Sequence, residues 1–138
     1  MLKLVFTAHL LTCLLLTGLI WTVQLVHYPA FRFIDKERFT EYAKFHQFRI
    51  SLFVVPLMLI ELTSGALLAF SNFTLENGIN ITILAVIWAV TVFISMPCHK
   101  KLQEGHNEWV IDRLVLTNWI RTVGWTLRSA ALIAVILT

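Results

Sequence analysis

Apolar residues in this chain fall into four long runs, with little alternation between them and the polar positions. Leu4 to Val26, Ile50 to Phe70, Ile79 to Met96 and Leu114 to Leu137 each approach the roughly 20 residues a helix needs to cross a bilayer. Glu61 is the one charge in the second run, and Arg121 and Arg128 are the only charges in the fourth. Backbone groups in hydrocarbon must pair within their own segment, so apolar runs of this length imply helices. The pattern predicts an all-α, integral membrane four-helix bundle with spans near 4–27, 48–70, 79–97 and 114–137.

Punctuation in the chain predicts the boundaries. His27-Tyr28-Pro29 reads as the end of helix 1 and Met96-Pro97 as the end of helix 3, because the residue before proline disfavours helix. Asn77-Gly78 reads as a turn ahead of helix 3, and Glu104-Gly105-His106-Asn107 as the turn before helix 4. Phe39, Tyr42, Phe45 and His46 recur at helical spacing and predict an interfacial amphipathic helix that leads straight into helix 2.

Composition narrows the class. With 138 residues, 58% of them hydrophobic and 14% charged, four spans make one domain and leave no room for an extramembrane module. The net charge of +3 does not point to nucleic acid, since no basic stripe or aromatic-basic motif accompanies it. The basic residues act as topology signals. Arg32, Lys36, Arg38, Lys44 and Arg49 lie between helices 1 and 2, and Lys100, Lys101 and Arg113 between helices 3 and 4. Lys3 stands alone on the other side, so the positive-inside rule predicts cytoplasmic basic connections and both termini on the extracytoplasmic side of a bacterial inner (plasma) membrane. Asn72-Phe-Thr and Asn80-Ile-Thr are formal glycosylation sequons on that outer side. The first run is too long for a signal h-region and lacks a small-x-small site, so helix 1 is expected to be retained. Cys13 and Cys98 fall at opposite ends of their helices without CxxC spacing, which argues against a disulfide and against thiol-redox chemistry.

Helical spacing groups the polar residues. Asn118, Arg121, Trp125 and Arg128 form one stripe on helix 4. His46, Arg49, Phe53 and Ile60/Glu61 are expected on one face of helix 2; Trp21, Gln24 and Tyr28, with His27, on one face of helix 1; and Thr91, Ser95 and His99 on one face of helix 3. These stripes should converge on the bundle axis, mostly toward its cytoplasmic end. At 1.5 Å per residue, Glu61 lies about 18 Å from Arg49 and Arg128 about 22 Å from Arg113, which predicts an intramembrane Glu61–Arg128 ion pair, either functional or packing glue. His27, His46, His99 and His106 belong to the cytoplasmic side and His9 to the outer end. The four on the cytoplasmic side read as metal ligands, as interfacial aromatics with wet tips, or as a proton relay. With no HExxH and no Glu-x-x-His, no metal site is assigned and the cofactor stays unknown, although His27 and His46, on different helices, have the placement of axial haem ligands. Arg49, Arg121 and Arg128 outnumber Glu61, so a buried surplus of positive charge calls for an anionic partner unless Arg49 or Arg121 snorkels to headgroups. That partner is a lipid phosphate, a carboxylate, an enolate-like substrate oxygen or a haem propionate.

Met96-Pro-Cys-His-Lys-Lys-Leu102 followed by Leu116-Thr-Asn-Trp-Ile-Arg-Thr122 resembles a Pro-x-[Asn/His]-x-x-Leu … [Trp/Asn]-x-x-Arg pattern in small bacterial four-helix membrane proteins of unknown function. Those proteins are distantly similar to the anthrone oxygenase-like family. Gln24-x-x-His-Tyr-Pro29 resembles the usual end of helix 1 in the same proteins, and His99 stands where an asparagine is expected. The resemblance implies an oxygenase or related membrane enzyme acting on a hydrophobic, enolisable substrate. On that reading Arg121 and Asn118 clamp the developing oxyanion and His27, His46 or His99 is the base. Gln24, Tyr28, Glu61, Trp125 and Arg128 would bind substrate. The alternatives are a structural or assembly subunit and a small proton- or anion-translocating protein. The expected partners are the bilayer and a lipophilic or anionic small molecule, with oligomerisation left open.

Overall fold

The computed structural model describes residues 1–71 and 74–137. It contains four helices, α1 (Leu2–Phe33), α2 (Phe39–Ser71), α3 (Leu75–Leu102) and α4 (Glu108–Leu137), each long and apolar enough to cross a membrane. The chain is therefore a multi-pass membrane protein. His9 near the start of α1 meets Glu61 late in α2, Asn80 early in α3 and Arg128 late in α4, so neighbouring helices run antiparallel. Both termini share one end of the bundle, the terminal end; the two basic connections share the other, the basic end.

The helices are longer than the apolar runs. α1 does not stop at Pro29: a π-helical turn at Val23–His27 precedes Tyr28–Ala30, and a 3₁₀ turn ends it at Phe33. α3 likewise passes Pro97 through a π-helical turn at Thr91–Ser95. A proline ring collides with the carbonyl four residues back and offers no N–H. Widening the preceding turn relieves both problems: the N–H groups of Tyr28 and Met96 reach the carbonyls of Val23 and Thr91, five residues back. At the other end of α3, Asn77 and Gly78 are helical, not a turn. Thr74 caps the helix by accepting the Asn77 N–H at 3.2 Å. The Asn72 sequon starts at Asn72 and Phe73, outside the described residues, while Asn80 lies within α3.

Two expectations about connections hold. The aromatic-basic segment from Phe39 is continuous with the second span in a single 33-residue helix. Non-helical residues 103–107 join α3 to α4; there Gly105 has a φ of +157°, a conformation L side chains rarely adopt, and Asn107 Oδ1 accepts the Val110 N–H.

Burial follows a membrane protein's logic. Leu11, Leu15, Leu52, Leu59, Val123 and Leu127 face outward, whereas His9, Gln24, Glu61, Asn118, Arg121 and Arg128 are buried. Small polar groups close the α1–α4 seam. Thr17 Oγ1 lies 2.7 Å from Ser129 Oγ and 3.1 Å from the Trp125 carbonyl, and Trp21 Nε1 donates to Thr126. Cys13 packs on Ser129, and both cysteines are free and buried. The α2–α3 seam is the least closed.

Candidate functional site

The inward stripes form two assemblies at different depths. In the terminal half, Glu61 and Arg128 make the predicted ion pair, 0% and 1% exposed. Trp125 Nε1 donates to both Glu61 carboxylate oxygens at 3.1 Å. Arg128 also donates through Nε to Asn80 Oδ1 (3.1 Å) and through Nη2 to His9 Nε2 (3.2 Å). Because His9 Nε2 accepts from the guanidinium, its proton sits on Nδ1, which donates to Ser64 Oγ at 3.0 Å; that hydroxyl in turn donates to the Ile60 carbonyl. The cluster holds one cation, one carboxylate and neutral partners; His9 and Asn80 line an open cavity of about 690 Å³ at the terminal end, whereas Glu61 and Arg128 line neither that cavity nor the one between α2 and α3.

His9 owes its position to Gly65. A Cβ at Gly65 would lie 2.8 Å from His9 Cε1, and the imidazole is buried and pinned on both nitrogens. Gly65→Ala is therefore expected to destabilise the folded protein by about 1–3 kcal/mol through overpacking, read as a lower unfolding midpoint in detergent. An unchanged midpoint would show that His9 can move freely.

The second assembly occupies the basic half. The π-helical turn in α1 carries Gln24, whose Nε2 donates to the Val115 carbonyl and whose Oε1 accepts from Asn118 Nδ2 at 2.9 Å. Asn118 Oδ1 accepts from Arg121 Nη1 at 3.1 Å. The π-helical turn in α3 carries Ser95, whose hydroxyl lies 3.4 Å from the same Nη1, and the Arg121 guanidinium lies over the Trp125 ring at 5.2 Å. Arg121 is 5% exposed, forms no ion pair among the described residues and leaves Nε without a partner.

Arg121 faces a cavity of about 390 Å³ between α2 and α3, in the size range of small-molecule pockets. Val54, Met58, Leu59 and Val92 supply apolar wall, and Tyr28, Ser95, His99, Arg121 and Trp125 gather at one part of it. Tyr28 Oη and His99 Nε2 are 3.0 Å apart. A lipophilic body can thus lie along the open seam with a polar head against Arg121, and the Tyr28–His99 couple can pass a proton.

The other predicted residues divide by depth and face. His46 is buried with its ring stacked 6.1 Å from His99, and His27 lies 5.5 Å from His46; neither lines the cavity. His106 is apart from them, edge-on to Phe39 at 4.8 Å. Among the described residues no three His, Cys, Asp or Glu side chains are placed to hold a metal. Arg49, Phe53 and Ile60 are exposed, contrary to the expectation for α2. Arg49 and Glu61 are twelve residues apart, about 120° around a helix, so both cannot face the axis; Arg49 lies over Phe45. Trp21 also turns outward, edge-on to Trp119.

The sequence does not assign His9, Ser64, Asn80 or Trp88 to a site. His9 carried a signal, a lone imidazole in an uncharged run, where any ionisable residue calls for a partner. Asn80 was masked by its sequon, and Trp88 looked like one more apolar position. No family model matches the chain, and no curated protein and no solved structure is found to be similar to it.

Proposed function

We propose that the chain is an oxidoreductase of the oxygenase type, working in the plasma membrane on a lipophilic, enolisable substrate that enters the α2–α3 cavity from the bilayer. The observation that carries this reading is Arg121, a buried cation without a counter-anion among the described residues, on the wall of a largely apolar cavity. A buried charge is costly until an anion meets it, so a substrate oxygen that becomes anionic as its α-proton leaves is stabilised there. The Tyr28–His99 couple receives that proton, and Asn118, held by Gln24, positions the guanidinium. The resulting carbanion reacts with dioxygen, the co-reactant. With the basic connections in the cytoplasm and the termini outside, the cavity opens in the cytoplasmic half of the membrane.

Anthrone is a suitable probe: it is lipophilic, it enolises, and its oxidation by one dioxygen gives anthraquinone and one water. Purified protein is expected to accelerate anthraquinone formation with matching oxygen uptake, above protein-free and heat-inactivated controls. Tyr28→Phe should slow it by about 10²–10⁴-fold, the usual worth of a positioned acid–base group. Equal rates with and without protein would remove anthrone-type oxygenation.

A further inference from the structure

Among the described residues two buried side-chain atoms lack a hydrogen-bond partner, and both belong to residues that line the α2–α3 cavity: Arg121 Nε and Trp88 Nε1. Buried polar groups are nearly always paired, and no water in the hydrocarbon core stands ready to supply a partner. An indole N–H is a donor only, so what it lacks is an acceptor. The Thr91 and Ser51 hydroxyls on the wall donate to the Ile87 and Phe48 carbonyls and keep acceptor lone pairs, but neither lies within hydrogen-bond range of Trp88 Nε1. Trp88 Nε1 is therefore a donor without an acceptor, itself covered by neighbouring atoms, and a ligand oxygen reaches it when the indole turns toward the cavity. It precedes Ser95, the α3 contact of Arg121, by seven residues, roughly 10 Å of helix axis.

We propose that the ligand carries two acceptor oxygens, an acidic or enolic head at Arg121 and a carbonyl further along its apolar body that accepts from Trp88 Nε1. This inference rests on the cavity being the ligand site and narrows the ligand class: a lipophilic oxo compound binds better than a hydrocarbon-tailed acid. The apolar wall of Val54, Met58, Leu59 and Val92 contacts the ligand without polar preference. Selectivity for the second oxygen then depends on its distance from the head.

The test uses the full chain in detergent, with stearate and a series of oxostearates in which the ketone moves along the chain, by calorimetry. One or two ketone positions are expected to bind about tenfold more tightly than stearate, about 1.4 kcal/mol. Trp88→Phe should flatten the series, so that the preferred ketone positions lose their roughly tenfold advantage over stearate. The positional preference of the native chain carries the test even where Trp88→Phe does not fold. A flat series, with stearate bound by the native chain and lost in Arg121→Gln, overturns the role of Trp88 and leaves the pocket standing. Failure of every member to bind overturns both.

Discussion

Glu61→Ala is expected to destabilise the protein by about 3–5 kcal/mol, the usual cost of removing one partner from a buried ion pair. The measurement is unfolding in mixed detergent, set against native protein. Arg128 would keep its bonds to Asn80 and His9, but both are neutral, and the charge would stay buried in the bundle without its carboxylate. Trp125 Nε1 would also lose both of its acceptor oxygens. Glu61→Gln should also destabilise, by less, because the amide oxygen can still accept from Trp125 while the charge on Arg128 remains unmatched. The double variant Glu61→Gln/Arg128→Gln should recover more than half of the loss, since neutralising both partners together removes the uncompensated charge. Native-like stability in Glu61→Ala would mean that water or lipid headgroups reach Arg128 and that the pair is not what closes this end of the bundle.

That expectation depends on a contact readable from spacing alone. Glu61 and Arg128 are rare charges in apolar runs, and counting helical rise from the basic ends put them level. Both sit on helices, α2 and α4, that start at the basic end and run parallel, so equal rise brings them into contact. The same arithmetic failed for Arg49, because a face was assumed to continue from His46 through Arg49 to Glu61 while the angle accumulated to 120°. Pro29 and Pro97 misled for a related reason. A proline stops an ideal α-helix, but a π-helical turn before it absorbs the defect, and that alternative leaves no mark in residue type. Those two turns place Gln24 and Ser95 against α4, so the parts of the site hardest to read were the ones built on non-ideal helix. The roles of His9 and Trp88 are not legible in the sequence because the importance of each depends on what it faces. One is saturated by Arg128 and Ser64, and the other has an N–H with no partner among the described residues. Local sequence separates neither case from an ordinary interfacial aromatic.

Arg121→Gln separates the two arginines of α4 by the opposite signs of their effects. Arg128 has a carboxylate and two neutral acceptors; Arg121 has one amide oxygen, one distant hydroxyl, an aromatic face and the Tyr28 hydroxyl beside it. Removing the charge at 121 relieves an uncompensated buried cation, so the variant is expected to be as stable as native protein or more so. Function is expected to move the other way. A single oxyanion donor lost from a site that excludes water typically costs 10²–10³-fold in rate, and the anthrone reaction should fall by that factor. Stability gained where activity is lost is the usual signature of a group kept for chemistry instead of folding. Arg121→Lys sharpens the distinction. It keeps the charge but lacks the planar fork that reaches Asn118 and the cavity together, so partial activity with native-like stability is the expected result. Were Arg121→Gln to unfold the protein while Glu61→Ala did not, the roles would be reversed: Arg121 would hold the helices together, and the terminal cluster of His9, Glu61 and Arg128 would become the place to look for chemistry.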